Sequence, residues 1–243
     1  MTAERPRLVW RTATILESRP ETARAKTLAL DVPGWSGHLP GQHADIRLTA
    51  EDGYQAQRSY SIATPADGET VELTVERIDD GEVSPYLTEV AQAGDQFELR
   101  GPIGGYFVWD GSSDAPVLLV AGGSGLVPLM AMLRYHRGTG SAADMRLLLS
   151  ARAVGDVLYR EELGDFDGVT ITLTREPVPD GWSGFTGRID REMLAAVGPA
   201  SSTMPEIYVC GPTPFVESSA ELLVELGHHP ERVHTERFGP TGG

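Results

Sequence analysis

The pattern of hydrophobic residues changes near residue 115, and this change most constrains the fold. Before it, short runs of alternating apolar and polar residues are separated by turns that contain Gly and Pro, a pattern typical of antiparallel strands. After it, apolar runs of strand length alternate with helical patterns, which is typical of a parallel sheet covered by helices. The chain is therefore predicted to contain an N-terminal antiparallel β-barrel and a C-terminal α/β domain.

The polar segment 110–114 predicts the boundary between these domains, which we place at 1–112 and 113–243. The predicted barrel has one short helix, at 84–90, and six strands, at 9–15, 26–30, 43–48, 59–63, 71–77 and 96–99. The second domain is predicted to have strands at 117–121, 145–150, 169–174 and 207–210 and helical patterns at 126–137, 161–163, 190–197 and 214–226.

Composition excludes several classes of function. The net charge of -15 argues against nucleic-acid binding, which needs a basic surface. No apolar run is long enough to cross a membrane, and residues 1–10 lack the apolar core of a signal peptide. We therefore expect a cytoplasmic protein that does not insert into membranes. His43, His228 and His229 are candidate metal ligands, but the last two lie in a predicted loop beside Pro230 and no ligand cluster accompanies them, so no metal site is predicted.

Arg58, Ser59, Tyr60 and Ser61 form a tetrapeptide on a predicted barrel strand. Because side chains alternate along a strand, Arg58 and Tyr60 share one face. A guanidinium can bind a diphosphate through two hydrogen bonds, and a tyrosine ring offers a flat apolar face. Ser61 adds a hydroxyl on the other side of the strand. These groups suit a flavin dinucleotide.

A glycine-rich turn, Gly122, Gly123, Ser124 and Gly125, follows the first predicted strand of the second domain and precedes a helix. Glycines allow a dinucleotide diphosphate to approach the backbone, and the N–H groups at the start of the helix face it. The spacing differs from the common G-x-G-x-x-G pattern. Together with the tetrapeptide, the turn indicates a second cofactor, a nicotinamide dinucleotide.

Five motifs occur in order: R-S-Y-S at 58–61, G-P-I-G-G-Y-F at 101–107, G-G-S-G-L-V-P at 122–128, Y-V-C-G-P at 208–212 and E-R-F at 236–238. In this order and spacing the chain resembles the ferredoxin–NADP reductase superfamily. The resemblance covers about Pro40 to Phe238 and is strongest to the FAD-binding reductase modules of bacterial oxygenase systems. It implies an FAD-dependent NAD(P)H oxidoreductase that passes hydride to flavin N5 and single electrons onward.

The resemblance also implies roles for single residues. It places Arg58 at the FAD diphosphate, with Tyr60 stacked on the flavin and Ser61 near N5. Cys210 would approach nicotinamide C4, and Glu236 would orient the nicotinamide or move protons, so Ser61, Cys210 and Glu236 are the candidate catalytic residues. Further candidate contacts to FAD or the coenzyme are Ser59, Val75, Arg77, Glu82, Val83, Ser84, Gly122, Gly123, Ser124, Gly125, Gly211, Pro212 and Phe238.

Ser84 is also predicted from the residues themselves to cap the helix that follows it, leaving N–H groups for a phosphate. The family usually has two glycines in this turn, and Asp80 replaces the first of them. The segment 101–107 resembles the one that closes the barrel beside the second domain, and we interpret most of its residues as structural.

Coenzyme choice depends on groups beyond the strand ends. Ser150 and Arg152 follow the second predicted strand, and Thr174 and Arg175 follow the third. The latter two resemble the Ser-Arg pair of NADP-using members, with Arg188 as a possible addition. No acidic residue stands there to bind a ribose 2′-hydroxyl, so NADPH is favoured, while NADH stays possible.

The cysteine count bears on the electron acceptor. Cys210 is the single cysteine, which excludes an internal disulfide and a four-cysteine iron–sulfur cluster within these residues. Without a fused two-iron domain, electrons are expected to pass to a separate acceptor, with a two-iron ferredoxin of an oxygenase system as the favoured partner. Two alternatives stay open: a reductase that uses free flavin as substrate, and a flavin-binding redox sensor without turnover.

Overall fold

The computed structural model describes residues 8–175 and 179–239. Residues 1–7, part of the N-terminal segment discussed above, lie outside the described residues. Within the described part of the chain, two six-stranded sheets are present, one antiparallel and one parallel, and each has its own apolar core. The predicted fold class, an antiparallel barrel followed by an α/β domain, is confirmed.

The first sheet has the strand order β4-β3-β6-β1-β2-β5, and every pairing in it is antiparallel. Its inward side chains, such as Ala13, Leu28 and Ile46, form one buried core, as period-two alternation dictates. The strands are β1 (Trp10–Thr22), β2 (Ala25–Asp31), β3 (His43–Thr49), β4 (Gln55–Ser61), β5 (Thr70–Glu76) and β6 (Gln96–Ile103).

The barrel is not closed, because β4 and β5 stand at the two ends of the sheet order. They meet only just beyond the end of β4, where Ile62 bridges Leu73 and the Ala63 N–H donates to the Glu72 carbonyl at 2.8 Å. A short helix α1 (Val83–Pro85) and the π-helical turn Tyr86–Val90 follow β5. We call the open gap between β4 and β5 the seam.

The second sheet has the order β10-β9-β8-β7-β11-β12, and all its pairings are parallel. Its central strands are buried on both faces, which explains their continuous apolar sequences. The strands are β7 (Val117–Gly122), β8 (Met145–Ala151), β9 (Val169–Leu173), β10 (Phe185–Thr186), β11 (Glu206–Pro212) and β12 (Val233–Phe238).

Four helices accompany the second sheet: α2 (Leu126–Thr139), α3 (Arg160–Leu163), α4 (Arg191–Val197) and α5 (Thr213–Glu225). The strand order changes direction between β7 and β11, because β8 to β10 extend one way and β11 to β12 the other. In open parallel sheets such a switch point leaves a crevice at the carboxyl ends of the strands, where ligands bind.

Several predicted elements differ from those observed. β1 continues to Thr22, beyond the predicted end at residue 15. The strand predicted at 59–63 is β4, which spans Gln55–Ser61; beyond it Ile62 donates to the Gln42 carbonyl at 3.0 Å and also bridges Leu73 of β5. Two strands were not predicted: β10, which has only two residues, and β12, which contains the E-R-F motif. β12 lacks an apolar run and is recognisable only through its pairing with β11.

The boundary predicted between residues 112 and 113 falls in the segment between the two sheets and stays a prediction. Phe107 and Trp109, which precede it, pack with the core formed by α2 and the parallel sheet. Within the described residues, no helix has the length and apolar character needed to span a membrane, and no group of three or more potential metal ligands is present.

Arg134 of α2 joins the barrel to the second sheet. Its guanidinium donates to the Ala63 carbonyl at 2.9 Å and forms a two-hydrogen-bond ion pair with Glu162 of α3, at 3.0 and 2.6 Å. It also lies 4.9 Å from the Tyr159 ring centroid. The Arg134 side chain is only 15% exposed, so these partners replace water around a buried charge.

Tyr159 completes the same contact from the other side. The Tyr159 hydroxyl hydrogen-bonds to Thr74 of β5, and its backbone N–H donates to Glu21 of β1 at 3.3 Å. Thr74 in turn shares a 2.7 Å hydrogen bond with Thr27, whose hydroxyl donates to Glu21 at 2.7 Å. This buried ring of hydroxyls fixes the second sheet against the barrel.

We predict that Arg134→Met lowers the free energy of unfolding by about 2–3 kcal/mol, because the substitution removes a buried charge from partners that stay buried. Arg137→Met is the matched control, since Arg137 donates to the same Glu162 at 3.2 Å but is 51% exposed. Urea unfolding should show a loss below about 1 kcal/mol for the control. Equal losses in the two variants would contradict the assignment of Arg134 as the joining residue.

Candidate functional site

The seam brings the predicted flavin residues of β4 and β5 face to face. Arg58, Tyr60 and Ser61 belong to β4, and Val75 ends β5 together with Glu76. β4 and β5 do not pair with each other along most of their length. Their facing side chains and free backbone groups can therefore contact a ligand that lies between them. The geometry suits a flat cofactor that lies along the seam.

Arg58 and Tyr60 have the exposure that a flavin dinucleotide requires. The Arg58 guanidinium is exposed; it donates to the Gln57 carbonyl at 2.6 Å and lies 3.8 Å from its nearest carboxylate, Glu82, which leaves its other N–H groups for a diphosphate. Tyr60 is half-buried and packs against the barrel core. Burial raises the pKa of the Tyr60 hydroxyl above its usual range, so the ring stays neutral.

Ser59 points away from the seam. Its hydroxyl donates to the buried Asp45 at 2.6 Å, and Asp45 also pairs with Arg100 at 2.7 Å. The Ser59 side chain is therefore committed to the outer face of the sheet. Only its backbone is left for the contact with a cofactor that the sequence predicts.

The predicted helix cap at Ser84 is wrong. The residue that precedes helix α1 is Glu82, and it makes no side-chain cap. Ser84 lies inside the helix, buried, and its hydroxyl accepts a hydrogen bond from the Ile78 N–H at 3.0 Å. The Gly81 N–H donates to the Ile78 carbonyl at 2.9 Å and closes a turn that includes Asp80. Through its bond to Ile78, the Ser84 hydroxyl contacts this turn.

Four other predicted flavin contacts are occupied within the protein. Val75 and Val83 are fully buried in the barrel core, so only their backbones can reach a ligand. Arg77 pairs with Asp79 at 3.0 Å and with Glu89, and Glu82 accepts a hydrogen bond from Tyr54 at 2.8 Å. A cofactor at Arg77 or Glu82 must compete with these partners.

The glycine-rich turn packs directly on β11. Gly122 ends β7, Gly123 adopts a left-handed φ of +55°, and α2 begins at Leu126. A Cβ at Gly125 would lie 2.1 Å from the Cys210 carbonyl oxygen, so only glycine fits there. The turn thus places the start of α2 at the switch point of the sheet, where its N–H groups face the crevice.

A cleft of about 260 Å³ opens at this crevice and reaches across to the barrel. Thr22, Arg24, Ala25 and Glu76 line it from the barrel side. Eight of the predicted coenzyme residues line it from the other side: Gly122, Gly123, Ser124, Ser150, Arg152, Thr174, Pro212 and Phe238. Arg175, Gly125, Cys210 and Gly211 do not line the cleft.

Ser150, Arg152 and Thr174 meet at one end of this cleft. The Thr174 hydroxyl donates to the Ala151 carbonyl at 3.2 Å, and the Arg175 N–H donates to the Arg152 carbonyl at 3.0 Å. These bonds continue the pairing of β8 and β9 beyond the strands. Within the described ranges Arg152 forms no salt bridge and is exposed, as an anion-binding cation would be.

Cys210 and Glu236 are paired neighbours on β11 and β12, and both face the barrel. Burial, and secondly the charge of Glu236, raises the pKa of the Cys210 thiol well above its ordinary value, so the thiol is neutral. Burial raises the pKa of Glu236 to about 7. The carboxyl lies 3.7 Å from His43 of β3, which is the strand partner of Ser61.

Gly211 is required for packing inside the chain. A Cβ there would lie 2.6 Å from the Phe215 ring and 3.2 Å from the Gly122 Cα. A Cβ at Gly122 would likewise meet Phe215, at 2.8 Å. The ring of Phe215, at the start of α5, therefore lies over both glycines and forms part of the cleft wall.

Sequence reasoning missed two residues of this site. No sequence motif includes Phe215 or His43. Strand pairing or packing brings each of them to the site. The alignment of His43 with Ser61 follows from the β3–β4 hairpin register. A correct register for that hairpin would have been the signal for His43, whereas no sequence signal points to Phe215.

Two family models match the chain. The "Oxidoreductase FAD-binding domain" covers residues 17–108, and the "Oxidoreductase NAD-binding domain" covers residues 119–221. The FAD and NAD(P)H cofactors expected from the motifs are therefore confirmed as the cofactors of this family. The individual contacts of the predicted residues stay predictions.

Among curated proteins, ferredoxin–NADP reductase B of Sorangium cellulosum is 34% identical over 211 residues, which are 82% of this chain and 84% of that protein. The glycine betaine monooxygenase reductase subunit of Pseudomonas aeruginosa is 32% identical over 209 residues. That match covers 83% of this chain but 56% of the relative, so the chain spans little more than half the length of such relatives.

Among solved structures, the FAD/NAD-binding domain of nitric oxide dioxygenase from Vibrio cholerae superposes with a TM-score of 0.84. It is 24% identical, and the match covers 95% of this chain and 99% of that one. The likeness confirms the two-unit fold. With the sequence matches, it shows that the chain belongs to the ferredoxin–NADP reductase superfamily of FAD- and NAD-binding oxidoreductases.

We predict that Gly125→Ala destabilises the protein, because the added methyl group meets the Cys210 carbonyl and must displace β11 or the turn. The cost of such overpacking is typically about 1–3 kcal/mol. Gly138→Ala is the control, since Gly138 lies in α2 with open space around its Cα. Thermal unfolding should show the control unchanged or stabilised by up to about 1 kcal/mol.

A second prediction concerns Glu236 and pH. Its folded-state pKa of about 7 lies above the ordinary value of 4.5, so the folded protein binds more protons between these values and stability falls as pH rises through that window. Glu236→Gln should therefore stabilise the protein at pH 8.5 by on the order of 2 kcal/mol, with little effect at pH 4.5.

Urea unfolding at the two pH values measures this difference. Glu221→Gln is the control, because Glu221 is an exposed carboxylate on α5 and should show no pH-dependent gain. A stabilisation of the Glu236 variant that is equal at both pH values would contradict the assignment of Glu236 as a buried carboxyl that ionises near neutral pH.

Proposed function

We propose that this member of the ferredoxin–NADP reductase superfamily oxidises NADPH through a bound FAD and passes the electrons singly to a separate acceptor, a two-iron ferredoxin of an oxygenase system. One observation carries the proposal. The cleft at the β7–β11 switch point is lined by Glu76, which ends β5 at the seam, and by Pro212 and Phe238 on the other side, so a ring on the seam and a ring in the cleft can come into contact there.

The chemistry of this site is that of its cofactors. When bound, FAD accepts a hydride from the nicotinamide and releases electrons one at a time. In this proposal the chain aligns the two rings: Tyr60 supplies a face for the flavin, Ser61 a hydroxyl near its edge, and Cys210 a small neutral surface opposite. Alignment of reacting groups is a large part of enzymatic rate enhancement.

Arg152 and Thr174 support NADPH over NADH. Both line the cleft, whose lining also includes two carboxylates, Asp156 and, on the barrel side, Glu76. A guanidinium can form two hydrogen bonds with a 2′-phosphate. It would bind a ribose 2′-hydroxyl much more weakly. Arg175, which the sequence favoured for this contact, lies outside the cleft lining, so Arg152 is the stronger candidate.

The proposed acceptor rests on the relatives. Two of them carry the names of reductase components, for glycine betaine monooxygenase and propane 2-monooxygenase, and such a component delivers electrons to another protein or domain. Our chain corresponds to the flavin and nucleotide part of these longer relatives. The acceptor is therefore proposed as a separate iron–sulfur protein.

Anaerobic stopped-flow reduction of the FAD-loaded protein tests the proposal. Bleaching of the flavin band should be faster with NADPH than with NADH at equal concentration, and a two-iron ferredoxin should then restore the oxidised band. A protein that binds no flavin but reduces added FAD or FMN would instead be a free-flavin reductase. A bound flavin that neither coenzyme reduces would indicate a sensor.

Coenzyme discrimination gives a further prediction. Arg152→Ala should raise the KM for NADPH by about 10-fold or more and leave the KM for NADH unchanged, because it removes a charge-assisted hydrogen bond to the 2′-phosphate. Arg191→Ala, at an exposed position that pairs with Glu225 and lies outside the cleft lining, is the control in steady-state kinetics. An equal rise for both coenzymes would contradict the 2′-phosphate assignment.

A further inference from the structure

We infer that His43 is a positioning residue for Glu236: the imidazole of β3 and the carboxyl of β12 face each other across the junction of the two units and hold protons as a coupled pair. This inference deepens the proposed function and rests on it, because the pair lies where the flavin and nicotinamide are proposed to meet. None of the five sequence motifs includes His43.

The geometry brings the two groups together from separate sheets. His43 Nδ1 lies 3.7 Å from Glu236 Oε1, which is close enough for electrostatic coupling but longer than a normal hydrogen bond. The side chains are 25% and 27% exposed. Glu236 Oε2 is buried and has no hydrogen-bond partner among the described residues, so His43 is the polar group that can orient this carboxyl.

The imidazole is held in place from its own unit. Its strand partner is Ser61 on one side and Ile103 on the other, and the neighbouring Gln42 fixes the adjacent loop by donating to the Gly104 carbonyl at 2.6 Å. A Cβ at Gly104 would lie 3.6 Å from Nδ1. The ring is thus confined between that loop and the Glu236 carboxyl.

The order in which the two groups lose their protons follows from their burial. Burial lowers the pKa of His43, an effect only partly offset by the charge of Asp45, and burial raises the pKa of Glu236 to about 7. As pH rises, His43 therefore loses its proton first. The pair changes from one positive charge to none and then to one negative charge.

Few other charges reach this pair. From β11, Cys210 faces Glu236 and is neutral because its pKa is raised. From the barrel, Asp45 lies two residues beyond His43 and is compensated by Arg100 at 2.7 Å. On β12, His234 lies two residues before Glu236 but is paired with Glu206 at 3.1 Å. Among the described residues, His43 is thus the basic side chain that lies within 4 Å of the Glu236 carboxyl.

The pH range in which both His43 and Glu236 are neutral has a consequence for coenzyme binding. The nicotinamide ring is neutral in NADPH and positively charged in NADP⁺. An ionised Glu236 near the ring favours the oxidised coenzyme, and a protonated Glu236 does not. By setting the pH at which Glu236 ionises, His43 would set the pH above which the affinity for NADP⁺ increases.

Nuclear magnetic resonance of the FAD-loaded protein tests the coupling without turnover. The His43 imidazole signal, assigned by its loss in His43→Gln, should show two inflections between pH 5 and 9, one for its own proton and one near pH 7 for Glu236. Glu236→Gln should remove the second inflection. The signal of His229, an exposed residue that follows α5 in the chain, is the internal control and should be the same in the wild type and in Glu236→Gln.

NADP⁺ binding provides the second readout. In the wild type, the dissociation constant should fall at least 3-fold as pH rises from 6 to 8.5. His43→Phe, which lacks any N–H, should move the midpoint of this change upward by at least half a pH unit. His43→Gln retains an N–H donor and should restore part of the shift, while His229→Gln should match the wild type.

The outcomes are distinct. A His43 signal without the second inflection, or a midpoint unmoved in His43→Phe, overturns the coupling even if the protein reduces FAD normally. If the coupling is present but neither coenzyme reduces the flavin in stopped flow, the proposed function is wrong, whereas the coupling between His43 and Glu236 is confirmed. If His43→Phe does not fold, the Glu236→Gln comparison decides the question alone.

Discussion

The contact made by Arg134 is the interaction on which the site depends. Each of the two units carries half of the candidate site. The site is therefore complete only when the two units are held in a fixed relative position. The guanidinium ties Ala63, next to the seam, to Glu162 beside the second sheet. Because a buried charge without its partners is costly, this contact tolerates little rotation of one unit against the other.

The hydroxyl ring around Tyr159 adds to the same constraint. It places β5 of the barrel against the start of α3, next to the Arg134 guanidinium, which lies over the Tyr159 ring. The junction is thus fixed by two adjoining sets of side chains. The distances that matter for the proposed hydride transfer are therefore set by side chains that touch neither cofactor.

The fold could be predicted from the sequence to a large extent, because its signals are local. Alternation identified the barrel strands, and continuous apolar runs identified the buried strands of the parallel sheet. β12 escaped prediction because its sequence, V-H-T-E-R-F, has no such run and lies at a sheet edge. Ser84 was predicted to cap a helix because serine is a common capping residue. In the structure it is buried against the turn at Gly81.

The candidate site was predictable only where one motif sufficed. The glycine-rich turn and Arg58 lie where their motifs indicated, facing the switch point and the seam. His43 and Phe215 depend on hairpin register and on packing between α5 and two glycines, which single-sequence patterns do not encode. Gly211, predicted as a coenzyme contact, lies outside the cleft lining, and the structure requires a glycine there for packing against Phe215.

The open seam has a consequence for how the cofactor comes and goes. In a closed barrel, admitting a molecule between two strands would require breaking a ladder of backbone hydrogen bonds. Here β4 and β5 are joined only near Ile62 and Ala63, so a flavin seated on the seam could leave without any strand pairing being broken. Its exchange with the surroundings is then a local event, and the barrel that loses it keeps its strand order intact.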